Sequence, residues 1–245
     1  MYPPELYRLR ELSLFTGGGG GLLAGGLLAW EPQCYVEYND YCQRLIARRI
    51  ADGVIPRQPI FGDIRTFTRD GYARSYKGMV DVCSGGFPCV PFSSAARGRN
   101  DLSKDRWTDM RDVIAIVQPK WVFCENVTRG ALQTACEDLY ALGYSTAYAK
   151  FCSSQVGCRA PRPRWWAVAY ANGDGESRRP VHAEAPSVST LERGDARPDP
   201  PRAMGGVARL AHRMDRLRAL GNGQDPVVAA TAFLTLGREL LRVSP

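Results

Sequence analysis

The chain has 245 residues, with 32 Lys and Arg against 25 Asp and Glu and a formal net charge of +7. Such a length buries a full core in one domain with room for a small appendage, and the positive balance points to a polyanionic partner, nucleic acid first, without fixing fold or target. No eighteen uncharged apolar residues run together, and "MYPPELYRLRELSLF" lacks an apolar core of signal-peptide length, so a cytoplasmic protein without a membrane partner is expected. The eight cysteines are scattered with no CxxC spacing, and His182 and His212 are too few and too distant to complete a zinc site. Neither a disulfide framework nor a metal is therefore expected.

In chain order, strands are predicted at Leu12–Phe15, Cys34–Glu37, Met79–Ser84, Trp121–Glu125 and Trp165–Tyr170, with a sixth, Ser145–Lys150, between the last two. Helical patterns cover Gly21–Ala29, Asp40–Ala51, Thr108–Val117 and Arg129–Leu142. This alternation predicts an α/β fold with a doubly wound, mostly parallel sheet, because parallel neighbours need helical crossovers of about this length. Functional side chains are then expected at the carboxyl ends of the strands. After Tyr170 the stretch "ANGDGESRRPVHAEAPSVSTLERGDARPDPPRAMGG" is rich in Gly, Pro, Ser and charge and cannot build a core of its own. The pattern resumes at "RLAHRMDRLRALGNG" and ends in "DPVVAATAFLTLGRELL", a helix with Pro226 in its first turn. The chain thus divides at 1–170, 171–208 and 209–245, and one active unit, a monomer, is expected.

The first strand runs into "LFTGGGGGLLAG", where Gly17 and Gly19 permit positive φ and close approach of a ligand, and the following helix offers unpaired N–H groups. Alone, such a turn reads equally well as a flexible loop. Glu37 closes the second strand at about the spacing, some 20 residues, at which an acid meets a ribose hydroxyl in dinucleotide-type folds. Asp63 in "IFGDIRTF" supplies a third strand end carrying a carboxylate. Either acid alone reads as a solvated surface group; together with the glycines they outline an adenosine pocket. Glu37 would meet the ribose, Asp63 and Ile64 the adenine, and Phe15 would pack against the ring.

In "GGFPCVPFS", Gly85–Ser93, Cys89 stands between Pro88 and Pro91 just after an apolar run. A free cysteine is most often a small buried hydrophobe, but two prolines that restrict the backbone around one thiol are hard to explain as packing. A nucleophilic thiol near pH 7 needs a lowered pKa or proton removal during attack. Suitable neighbours exist: Glu125 in "FCENV" ends one strand, and Arg162 and Arg164 in "PRPRWW" begin another.

These residues resemble the DNA cytosine-5 methyltransferases. "FTGGGG" is similar to that family's cofactor motif, "GGFPCVPFS" to its nucleophile motif, "ENV" to its glutamate motif, "RPR" to the end of its arginine motif and "LGNG" to its C-terminal asparagine motif, all in the family's order. The resemblance covers about 12–170 and 209–241. It implies a Rossmann-like methyltransferase fold, S-adenosylmethionine as cofactor, and double-stranded DNA as partner in a bacterial or phage-infected cytoplasm. Carried over by position, Cys89 adds to cytosine C6, Glu125 contacts N3 and the exocyclic amine, Arg164 holds the base through O2 and Arg162 supports the site. Phe15, Gly17, Gly19, Glu37, Tyr38, Asp63, Ile64, Pro88 and Asn222 would bind the cofactor. The cytosine must leave the helix, since C5 and C6 are inaccessible within the stack. The charged segment "SAARGRNDLSKDRWTDM" reads either as an exposed connector or as a loop closing over DNA, with Ser93, Arg97 and Arg99 as DNA contacts.

Several positions depart from the family's pattern. Ser13 stands where Asp is common, Tyr38 where Trp is typical, Val90 where Gln is common, Arg159 and Ala160 where Pro and Gln are usual, and Gly223 and Gln224 where small and aliphatic residues are usual. Under forty residues separate Tyr170 from Arg209, where the family carries a target-recognition domain. A short recognition site or loose context preference is expected, because few side chains can reach the major groove. A tRNA methyltransferase on the same scaffold is disfavoured by the lack of a Cys-Phe-Thr signature. "DPPR" at Asp199–Arg202 lacks the aromatic of an amino-methyltransferase motif, and intact Cys89, Glu125, Arg162 and Arg164 argue against an inactive DNA-binding relative.

Overall fold

The computed structural model describes residues 2–88, 106–158, 161–171, 180–181 and 223–243. Its elements are β1 (Arg10–Leu14), α1 (Gly20–Leu27), β2 (Glu31–Val36), α2 (Asp40–Ala51), β3 (Ile60–Phe61), α3 (Ile64–Arg69), β4 (Val82–Gly86) and α4 (Trp107–Val117). There follow β5 (Trp121–Asn126), α5 (Arg129–Ala141), β6 (Tyr144–Cys152), β7 (Pro163–Ala171), β8 (Pro180–Val181) and α6 (Pro226–Val243). The strands form one sheet in the order β3-β2-β1-β4-β5-β7-β6-β8.

Helices cover both faces. On one, Ile64 and Phe67 of α3, Met110 and Ile114 of α4, and Leu132 and Leu139 of α5 pack on Leu12, Cys83 and Val122 of the sheet. On the other, Ala24 of α1 and Phe233, Leu236 and Leu240 of α6 pack on Trp121, Phe123, Trp166 and Val168. Phe233 and Leu236 are fully buried, each contributing about 1.5–3 kcal/mol by removal from water. This two-sided cover makes the central strands apolar throughout rather than alternating.

The five strands β3, β2, β1, β4 and β5 run parallel, as the helical crossovers require. The sheet turns antiparallel where β7 inserts between β5 and β6, pairing Glu125 with Trp166 and Phe151 with Arg164. Among the described residues between β6 and β7 there is no α-helix, and the 3-10 turn Ser153–Val156 leads one strand back beside the other, so the two meet antiparallel. Two differences from the predicted elements have local causes. The strand expected at Met79–Ser84 begins later, at Val82, because Met79 still closes the preceding turn, its amide donating to the Tyr76 carbonyl at 3.0 Å; the Asp81 carboxylate takes the Arg10 amide at 2.9 Å and the guanidinium at 2.8 and 2.9 Å. The short helix α3, unpredicted, is nucleated by Asp63, whose side chain accepts from the Arg65 amide at 2.9 Å.

Candidate active site

Strand order reverses between β1 and β4, where Leu14 pairs with Gly85, so the crevice outside their carboxyl ends is the place for a ligand. Beyond β1 the chain turns through Phe15 (φ 50°) and Gly17 (φ 57°), and Gly19 (φ 87°) caps α1 in the left-handed region. Phe15 bears that conformation without a glycine's freedom. Glu37, buried at 8 % exposure, holds this turn. Its Oε2 accepts from the Gly17 amide at 2.6 Å and its Oε1 from the Asn39 amide at 2.7 Å. An ionised carboxylate has about four lone-pair sites, so both oxygens retain capacity for ligand hydroxyls.

A cavity of about 400 Å³ opens here, and Phe15, Gly17, Glu37, Tyr38, Asp63 and Pro88 are among its walls. Tyr38 is 74 % exposed, leaving its ring open to a planar ligand. Ile64 also lines the cavity while packing into the core. Asp63 is paired with Arg65 at 2.7 Å, and the hydrogen bonds from Arg65 hold its carboxyl below the usual range. Arg65 and Arg106 are further lining residues that sequence reasoning missed. Two fixed carboxylates on adjoining strand ends, an open aromatic ring and glycine backbone suit a nucleoside with an amino-acid tail. Among the described cofactor candidates Gly19 is the exception: it shapes the turn and is not among the cavity's lining residues.

Next to this cavity lies a charged group. Glu125, at the carboxyl end of β5, is buried, and Arg164 Nε approaches its Oε1 at 3.1 Å. Burial raises its pKa to about 7 against the opposing pull of Arg164 and then Arg162. Gly86 of β4 lines the cavity and pairs with Glu125. A Cβ at position 86 would lie 2.8 Å from Glu125 Oε2 and 3.1 Å from Gln224 Nε2, so only glycine leaves room for these two groups. Gln224 also seals the glycine turn, its side-chain Oε1 lying 2.6 Å from where a Gly21 Cβ would stand. Asp225 caps α6, accepting from the Val227 amide at 3.0 Å and the Val228 amide at 3.3 Å, and its other oxygen accepts from Cys158 Sγ at 3.6 Å. An Asp directly before Pro226 is a helix-start signal. That signal could have singled out Asp225.

The structure brings together Phe15, Gly17, Glu37, Tyr38, Asp63, Ile64 and Pro88 around one cavity, and Glu125, Arg162 and Arg164 around one carboxylate. Cys89, Ser93, Arg97, Arg99 and Asn222 lie outside the described residues, as do Val90, Arg159 and Ala160. The chain on either side of the Cys89 segment is tied together: the Arg106 amide donates to the Pro88 carbonyl at 3.3 Å. Cys83 and Cys124 are buried, and burial pushes both thiols well up, as expected of packing cysteines. Among the described residues no three His, Cys, Asp or Glu side chains are grouped to hold a metal, and no helix is long and apolar enough to cross a membrane.

A doubly wound sheet with helices on both faces, a crevice at its strand reversal and a buried acid beside it define a Rossmann-like fold of the methyltransferase type. The chain belongs to the C-5 cytosine-specific DNA methylase family, whose model matches residues 9–214. It is 27 % identical over 168 residues to the type II methyltransferase M.CviJI of Paramecium bursaria Chlorella virus IL3A, covering 65 % of this chain and 42 % of that protein. To the type II methyltransferase M.HgiDI of Herpetosiphon aurantiacus it is 35 % identical over 98 residues, covering 38 % of this chain and 32 % of that protein. In three dimensions it is similar to a DNMT2 mutant of Spodoptera frugiperda, with a TM-score of 0.55 and 19 % identity, over 71 % of this chain and 54 % of the other. That likeness is one of fold. The chain spans roughly a third to a half of the length of these curated relatives.

Proposed function

We propose that this protein methylates C5 of cytosine in double-stranded DNA, using S-adenosylmethionine and a transient covalent bond between Cys89 and C6 of the flipped base. The observation that carries the reading is the placement of Glu125, its carboxylate paired with Arg164 and facing the backbone of Gly86, the glycine three residues before Cys89. Glu37 would accept the ribose hydroxyls, Asp63 the adenine amine, and Tyr38 would lie against the ring, while the turn at Phe15–Gly19 and Asn222 would hold the amino-acid tail. The bound cofactor supplies an electrophilic methyl group.

Cytosine C5 is a poor nucleophile. Addition of the Cys89 sulfur to C6 breaks the C5–C6 double bond and pushes an electron pair toward C5, while Glu125 gives its proton to N3 as charge develops there. C5 would then accept the methyl group, the methyl–sulfur bond of the sulfonium breaking to leave a neutral thioether; loss of the C5 proton to a base, return of the N3 proton to Glu125 and departure of the Cys89 sulfur as thiolate would restore the ring. A protonated Glu125 suits this task, since one oxygen donates to N3 while the other accepts from the exocyclic amine. Arg164 would hold O2 of the base, and Ser93, Arg97 and Arg99 would contact DNA. Residues 1–170 would form the catalytic and cofactor-binding unit, 171–208 a shortened target-recognition segment, and 209–245 a segment packing back upon it. The protein would act as a monomer in the cytoplasm of a bacterium or phage-infected host.

The test is incubation with cofactor labelled in its methyl group and either duplex DNA or tRNA, for the native chain and Cys89→Ser. Label in DNA from the native chain alone supports the reading. Label in tRNA alone would move the substrate to RNA, equal labelling by Cys89→Ser would remove Cys89 from its role, and no label in either would leave a binding protein. Bisulfite sequencing of the DNA product would report the site, a short one being expected.

A further inference from the structure

We infer that Gln224 is a positioning residue for Glu125: its side-chain amide walls the Oε2 side of the carboxyl as Arg164 holds the Oε1 side, so that the acid is kept aligned with the base from two directions. The inference rests on the role proposed above for Glu125.

Three glycines close on this one side chain and its backbone. A Cβ at Gly20 would overlap the Gln224 carbonyl, one at Gly21 would lie 2.6 Å from Gln224 Oε1, and one at Gly86 would lie 3.1 Å from Gln224 Nε2. The amide is therefore fixed at both ends, Oε1 against the first turn of α1 and Nε2 against the last residue of β4. Its backbone is fixed as well, because the next residue, Asp225, caps α6 through the Val227 and Val228 amides at 3.0 and 3.3 Å. Gln224 is also one of the positions at which the chain departs from the family's pattern.

The point beside Gly86 that lies 3.1 Å from Gln224 Nε2 lies 2.8 Å from Glu125 Oε2, so the two groups are no farther apart than those lengths together, about 6 Å. Arg164 Nε approaches the other oxygen, Oε1, at 3.1 Å. Each carboxyl oxygen thus has its own neighbour, Arg164 from β7 and Gln224 from the turn before α6. Among the described residues the charged groups facing Glu125 are Arg164 and Arg162, both at the start of β7; β4 contributes a glycine and the turn before α6 a neutral amide. Such an amide takes up space beside Oε2 without adding charge to the acid. A cavity of about 30 Å³ lies next to Gln224, with Ser13, Ser84 and Gly85 among its walls. Shortening Gln224 would join its volume to this cavity and free Oε2 to turn toward it, out of line with the base. A misplacement of about 1 Å costs on the order of 10²-fold in rate.

Three substitutions test the arrangement. Gln224→Ala removes the wall and should lower kcat for methylation of duplex DNA by about 10–100-fold, with the cofactor Kd within about threefold of native. Gln224→Met restores the length without the amide and should recover most of that loss. Gln224→Glu sets a like charge beside Oε2 and should raise the Glu125 titration by about half a unit to two units. That titration is followed by the carbon-13 signal of the Glu125 carboxyl, assigned by its loss on adding Glu125→Gln, and needs no DNA. A native kcat in Gln224→Ala, a cofactor Kd that rises as far as kcat falls, no recovery in Gln224→Met, or an unmoved titration in Gln224→Glu would each overturn the inference. The expected titration shift in a protein whose native chain methylates no DNA would instead overturn the function proposed above, and leave Gln224 packed beside Glu125.

Discussion

Arg164 Nε lies 3.1 Å from Glu125 Oε1, joining the start of β7 to the end of β5 across an antiparallel pair that exists only because β7 is inserted between β5 and β6. Arg164 is the largest charge opposing the effect of burial on Glu125. Loss of the carboxyl in Glu125→Gln should lower kcat for DNA methylation by about 10²–10⁴-fold, measured by label transfer. Arg164→Ala should lower kcat as well, and it should move the alkaline limb upward from about 7, since the acid loses its main cationic neighbour. A limb that moved downward in this variant would contradict the arrangement.

Glu11 on β1 is completely buried, and its Oε2 has no hydrogen-bond partner among the described residues. Ser84 donates to the other oxygen at 2.5 Å, and burial raises the carboxyl from 4.5 to about 7. A folded-state pKa above the unfolded one means that the native state holds the proton longer. The contribution is fully present below about 4.5 and is lost as pH rises toward 7. Glu11→Gln should therefore gain stability relative to the native chain by about 1–3 kcal/mol between pH 5 and pH 8. Urea unfolding of both proteins at the two pH values measures the difference, and a gap independent of pH would show that Glu11 titrates normally.

Glu37 takes one amide on each carboxylate oxygen, from Gly17 and from Asn39. In Glu37→Gln one of these amides must face an NH₂ group, which unsettles the glycine turn and removes an acceptor for the ribose. Cofactor Kd should rise by about 10–100-fold, corresponding to the roughly 1.5–3 kcal/mol of a charged hydrogen bond, in isothermal titration. The fold should persist, because the core does not depend on this side chain.

Two glycines should separate stability from catalysis. Ala ordinarily favours a helix over Gly by about 1 kcal/mol, yet a Cβ at Gly20 in α1 would overlap the Gln224 backbone. Gly20→Ala should lower the melting temperature and weaken cofactor binding together. Gly86→Ala places its Cβ 2.8 Å from Glu125 Oε2 instead. It should lower kcat at least tenfold with a smaller loss of stability, because side chains there can move where backbone cannot.

The sequence by itself determined the parallel half of the fold and most of the cofactor cavity. Apolar runs and crossover helices carry β1, β2 and β5 in their residues, and the acids at Glu37 and Asp63 sit one residue past β2 and at the start of α3, where local pattern places them. The order of motifs also linked Glu125 with Arg162 and Arg164 before any distance was known. Tertiary structure alone decided the rest. Antiparallel insertion of β7 is a choice of neighbour, which no periodicity records, and that insertion sets Arg164 against Glu125. Likewise, Gln224 reads locally as part of a helix start; its place beside Gly86 follows from α6 docking on the sheet over Phe233 and Leu236. Hydrophobic period and capping are properties of adjacent residues, whereas the pairing of a buried acid joins segments tens of residues apart, and only packing brings them within a few ångströms.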